Sequence, residues 1–193
     1  MCEGYLRHRG VVDEHSAGCK SYRLKRVAQR ANSIMMIFAL ILTSAWLAWT
    51  VLVDFFIAPT VFANVPDFFM AGRLAVAVFT KLNLLEFPLT SLLFVLTVLH
   101  VRRHKTHKLL ILLSFALLGI AGLYLFSLTP KLTALTEAWE YAERMGTLGS
   151  GGEDVQQLHQ SYHRTYVTLD TIKLLLLLVK LTFLGVFLSR RTR

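Results

Sequence analysis

Six ionisable side chains sit inside apolar runs of this 193-residue chain: Asp54, Lys81, Glu86, Asp170, Lys173 and Lys180. A charge in hydrocarbon costs about 2.5–3.5 kcal/mol even on insertion scales, so each must find a counter-ion, water or the interface. Three acids facing three bases can neutralise one another and hold helices in register. The same set can form a charged track along which a proton, an ion or a small solute is moved or sensed. Counted at 1.5 Å per residue from the outer boundary, Asp54 and Asp170 lie roughly 5 Å deep, Lys81 and Lys173 roughly 10 Å, and Glu86 and Lys180 roughly 18–20 Å. The expectation is an outer group of Asp54, Lys81, Asp170 and Lys173 and a midplane pair of Glu86 with Lys180. By the 100° helical step Lys81 points about 140° away from Glu86, so it must snorkel or reach another neighbour.

His159 and His163, spaced i, i+4 at the outer mouth, have a separation that can share a metal ion, with Glu143 placed to approach across a hairpin. Metal or haem binding there is the alternative to ordinary interfacial polarity, and the residues themselves require no cofactor. His159, His163, Tyr166, Asp170, Lys173 and Lys180 occupy about one third of the circumference of one helix, a stripe that should face protein or a water cavity. No nucleophile elbow, phosphate loop or HExxH is present. No catalytic residue is assigned, therefore, and a non-enzymatic protein is expected, although a membrane oxidoreductase with a bound cofactor is compatible with the residues. A scaffold for another membrane protein is a further alternative.

The elements that must position these groups are helices in a bilayer. The mean hydropathy is +0.52 and 54% of the residues are hydrophobic, too apolar for an ordinary soluble domain. Apolar segments at 34–57, 74–99, 109–129 and 166–188 are each near the ~20 residues that cross a bilayer as a helix, and none alternates as a barrel strand must. Residues 34–189 thus read as an all-α, integral membrane four-helix bundle. A basic tail over 1–33, expected to be partly disordered, precedes it, and a basic end over 190–193 follows. TALTEAWEYAERM is rich in helix formers, GTLGSGG is a break, and EDVQQLHQSYHRTYV runs without a breaker into the fourth span. Helices three and four should therefore extend beyond the membrane as an outer helical hairpin, with a bend near Pro130.

Charge gives the orientation. The net charge is +9, and 14 of the 21 Lys and Arg residues lie in the N-terminal tail, HVRRHKTHK and SRRTR. This distribution places both termini and the middle loop in the cytoplasm, with a bacterial inner membrane as the expected location. It speaks against a nucleic-acid partner and for the lipid bilayer with its anionic headgroups, and it leaves room for a homo-oligomer or a membrane protein partner. His100, His104 and His107 are expected on that headgroup-contacting surface. Cys2 and Cys19 match no zinc or redox spacing and read as reduced bystanders.

VDFFIAPTVFANVPDFFMAGRLAVAVF, then LTPKLTAL and QLHQSYHRTYVTLD, resemble the ordered signature of the family called domain of unknown function 4149, also described as transmembrane protein 205-like. The matching positions are Pro59, Phe62, Ala71, Gly72, Phe79, Pro130 and His159, while Tyr162 stands where a serine is usual. The resemblance covers roughly residues 35–188 and implies a four-helix membrane domain without an established activity. It also suggests distant kinship with copper-resistance D-type membrane proteins and with a haem-associated membrane protoporphyrinogen oxidase. Copper or haem handling, with redox chemistry, is what that kinship would imply for His159 and His163.

Overall fold

Backbone polar groups in hydrocarbon have no water to bond, so an open chain satisfies them as helix. The computed structural model describes residues 12–103, 108–146 and 152–192, and among these no strand occurs. Helix α1 (Val12–Leu52) leads through a π-helical segment, Val53–Ile57, into the short α2 (Ala58–Asn64). Helix α3 (Phe68–Arg103) returns across the bundle, α4 (Lys108–Leu123) continues through a second π-helical segment, Tyr124–Leu128, into α5 (Thr129–Arg144), and α6 (Gly152–Thr192) completes it. Among the described residues four stretches are long and apolar enough to cross a membrane, Ser33–Asn64, Phe68–Val101, Lys108–Arg144 and Glu153–Ser189. Each contains one of the spans expected from the sequence, and the chain is a multi-pass integral membrane protein. Helix α1 begins at Val12, within the basic tail; residues 1–11 and the loop histidines His104 and His107 lie outside the described residues.

Local chemistry sets the ends. Asp67 caps α3, its Oδ1 accepting from the backbone nitrogens of Phe69 at 2.8 Å and Met70 at 3.2 Å. Helix α5 stops where Gly146 takes φ +67°, the left-handed position that glycine adopts without a Cβ penalty. A proline follows each π-helical segment, whereas Pro88 lies within the regular helix α3. A proline has no N–H to give, and its ring presses on the carbonyl four residues earlier. For Pro59 that residue is Phe55, and for Pro130 it is Phe126; each lies in the middle of a π-helical segment. The wider turn moves the carbonyl aside, and such turns recur at functional sites. Here they carry Asp54 and Tyr124.

Helix α6 packs along α1 and α5, and α3 along α4. At the end of the bundle that carries the basic loop, Trp46, Leu93, Leu117 and Leu177, one from each span, form the centre of an apolar core. Toward the other end, where α5 packs against both α6 and the start of α3 as a helical hairpin, Tyr124 and Tyr166 anchor a second cluster. Between the two clusters the buried faces of α3 and α6 turn polar.

Candidate functional site

The inward face of α6 follows a three-and-four spacing, Tyr166, Asp170, Lys173, Leu177, Lys180 and Leu184, all buried. Helix α3 presents Asn83, Glu86, Thr90, Leu93, Thr97 and His100 in the same rhythm, again all buried. Such spacing keeps one stripe of each helix against its neighbours. Where the two stripes meet, Lys173, 1% exposed, holds its Nζ 3.0 Å from Glu86 Oε1 and 2.6 Å from Asp170 Oδ1. Glu86, itself 2% exposed, also accepts from Trp46 Nε1 at 3.0 Å.

The π-helical segments complete this ionic centre. Asp54 on the first interacts electrostatically with Asp170, Lys173 and Glu86. Tyr124 on the second donates its hydroxyl to Asp170 Oδ1 at 3.4 Å and lays its ring 5.2 Å from Lys173 Nζ, a cation–π geometry. Tyr166 stacks on Tyr124 with centroids 4.5 Å apart, and Asn83 bonds both the Tyr166 hydroxyl, at 3.3 Å, and Thr129 Oγ1, at 2.8 Å. Among the described residues, Thr50 Oγ1, Asp54 Oδ2 and Glu86 Oε2 are buried oxygens with no hydrogen-bond donor, and the Asp54 carboxyl lies against that of Asp170. Buried polar atoms are normally paired, so these mark where the centre has spare capacity.

Above the tyrosines, at the hairpin end, a cavity of about 420 Å³ opens between α2, α3, α5 and α6. Its aromatic wall is Phe62, Phe68, Phe69, Phe79, Trp139 and Tyr166. His159 and His163 lie at this cavity, their rings parallel and 6.3 Å apart, and His159 Nε2 meets Thr136 Oγ1 at 3.3 Å. Arg73 and Arg144 both reach Glu140, at 3.2 and 2.6 Å, tying the start of α3 to α5 beside the cavity.

Of the six expected track residues, then, Asp54, Glu86, Asp170 and Lys173 come together. The pairing of Glu86 with Lys180 does not form: Glu86 takes Lys173. Lys173 and Lys180 are seven residues apart and share an angular position on α6, so the periodicity admits either. Depth had to decide, and depths counted from apolar boundaries misplaced the register by two turns, roughly 10 Å. Lys180 is 1% exposed and has no ion pair or hydrogen bond among the described residues. Lys81 stays out of the outer group because it projects from the exposed face of α3. His100, expected at a headgroup surface, is buried at 7% exposure. Glu143 is exposed, and the described residues contain no group of three or more metal-ligating side chains. Trp46, Tyr124, Asn83 and Glu140 belong to the two sites but carry no motif. The 100° step puts Asn83 on the face of Glu86, and Pro130 marks the irregular turn but not the side chain that the turn directs inward.

Fold and site together define a class: a multi-pass membrane protein whose helical bundle encloses a salt-bridged ionic centre beneath an aromatic cavity. The chain belongs to the family described as Domain of unknown function (DUF4149), which matches residues 41–140. That region includes Trp46, Asp54, Glu86 and Tyr124, while Asp170 and Lys173 lie beyond it. Four of the seven positions that carry the resemblance, Phe62, Gly72, Phe79 and His159, line the cavity. Comparison with curated proteins and with solved structures finds no match to the chain.

Proposed function

We propose that this protein moves protons through the ionic centre of Asp54, Glu86, Asp170 and Lys173, with the hairpin on the outer face and the basic loops in the cytoplasm of the bacterial inner membrane. The observation that carries the reading is the charge balance around Lys173. One buried ammonium faces three carboxyl groups, so full ionisation would leave uncompensated negative charge where the medium screens it least. Protons taken up by the carboxyl groups remove that imbalance. Glu86 Oε2 and Asp54 Oδ2, both buried without a partner, are the acceptor positions. Toward the basic end Thr90, Thr97 and His100 lie on the same face of α3, with Leu93 of the apolar core between the two threonines, and Tyr166 and Asn83 lead toward the cavity. A charged group buried in a span is in general a mark of such pathways.

Proteoliposomes carrying an internal pH dye test this. The protein should collapse an imposed pH gradient faster than empty vesicles do, and Glu86→Gln and Asp54→Asn should each remove most of the difference. Collapse no faster than in empty vesicles, under either gradient polarity, removes the reading. The alternative of copper or haem at His159 and His163 draws on their parallel rings at the cavity. A Soret band or stoichiometric copper in the purified protein would move the assignment there.

A further inference from the structure

We infer that the ionic centre also binds a bare monovalent cation of the sodium class, held by Glu86 Oε2, Thr50 Oγ1 and Asp54 Oδ2 in competition with a proton. The inference rests on the proton site proposed above and names the ion that takes the proton's place there. Thr50 points to it first. This threonine is 0% exposed, yet its hydroxyl has no hydrogen-bond partner. The other buried threonines among the described residues, Thr43, Thr90, Thr97 and Thr136, each donate to the carbonyl four residues earlier, the usual outlet for a hydroxyl inside a helix. Thr50 does not make that bond, so its oxygen is free for another atom.

Its neighbours bring that oxygen to the carboxyl groups. Thr50 lies one helical turn from Trp46 and one from Asp54, on one side of α1. Trp46 donates to Glu86 Oε1, which is 3.0 Å from Lys173 Nζ. Asp54 lies against Asp170, whose Oδ1 is 2.6 Å from the same Nζ. The three oxygens without donors thus border one salt-bridge network, and oxygen lone pairs that meet no donor are what hard cations take as ligands. Charge sets the valence. Facing carboxyl groups such as Asp54 and Asp170 share one proton, and Lys173 supplies one positive charge. A single negative charge is left, which a monovalent ion balances and a divalent ion overcompensates. Burial sets the size, because oxygens closed to solvent admit only an ion that has shed its water. Asp54 and Tyr124 on the π-helical segments, Glu86 on α3 and Tyr166, Asp170 and Lys173 on α6 are the titratable groups that face one another here. Exchange of one ion for one proton leaves their combined charge unchanged.

Binding of sodium-22 ions to the full-length protein in detergent, read by scintillation proximity in a choline buffer, tests this without any gradient. One saturable site is expected at about pH 9, and the apparent Kd should rise toward tenfold for each pH unit lowered as protons compete. Glu86→Gln should abolish binding. Thr50→Val keeps the shape and the size-exclusion profile but lacks the oxygen, and should weaken binding about three- to tenfold, the scale of one polar contact; Thr50→Ser should restore it. The inference is overturned by the absence of saturable binding between about pH 6 and pH 9, by binding that does not change with pH, or by binding that survives both Glu86→Gln and Thr50→Val. Gradient collapse without sodium binding overturns the cation site and leaves proton movement standing. Sodium binding without gradient collapse supports the cation site and removes proton movement.

Discussion

Trp46 and Glu86, 40 residues apart in the chain, meet through an indole N–H donated to a carboxylate oxygen at 3.0 Å, and that oxygen is the one Lys173 holds. The carboxylate is therefore asymmetric. Oε1 takes both donors, and Oε2 takes none. Two donors on one oxygen fix the orientation of Glu86 between α1 and α6 while leaving the other oxygen open to a proton. A symmetric, fully bonded carboxylate would serve structure equally well but would have no vacant lone pair for exchange.

Removing one partner from a buried pair leaves the other charged and unmatched, which typically costs about 3–5 kcal/mol. Lys173→Met should lose stability on that scale, since both Glu86 and Asp170 lose their ammonium. Adding Glu86→Gln to Lys173→Met should recover part of the loss, because the double variant buries less unmatched charge. Denaturant titration of the protein in bicelles measures both. Strictly additive losses would refute direct coupling between the two residues.

Lys180 should behave in the opposite way. It is buried within the apolar seam of α6 and has no ion pair or hydrogen bond among the described residues, so methionine of similar length removes a desolvated amine and keeps the packing. Lys180→Met is expected to be neutral or stabilising by up to about 2 kcal/mol, as for buried charges replaced by apolar residues. A loss equal to that of Lys173→Met would mean that Lys180 has a counter-ion after all.

These two lysines show how far the sequence could be read. Hydropathy sufficed for four spans and helical periodicity for the inward stripe of the fourth, because lipid enforces both. Partners across helices depend on axial register, which no periodicity encodes. Lys173 and Lys180 share an angle, and two π-helical turns shift the helices that face them. The cavity escaped notice for a related reason. Its wall is drawn from α2, α3, α5 and α6, and its phenylalanines look like any lipid-facing residue until the helices are assembled.

The hairpin gives a test of orientation. GTLGSGG follows directly on the end of α5, and in closed right-side-out vesicles an added protease should cut there first. Inverted vesicles should protect it. Cleavage restricted to inverted vesicles would reverse the orientation that the basic loops imply.

The last prediction concerns the turn before Pro130. The π-helical segment that precedes this proline places Tyr124 against Asp170. Alanine at this position has an N–H to offer, so the segment can relax to an α-helix. Loss of one surplus residue from the turn would rotate Tyr124 by about 100° relative to α5 and take its hydroxyl away from Asp170. Pro130→Ala should therefore slow proton flux about three- to tenfold, the scale of one hydrogen bond, while stability holds or rises because a backbone bond is gained. Tyr124→Phe should slow flux to a similar degree without changing the turn. If both act through the same contact, combining them should slow flux no further than either does alone. Full additivity in the double variant would mean that the proline shapes the pathway by some route other than Tyr124.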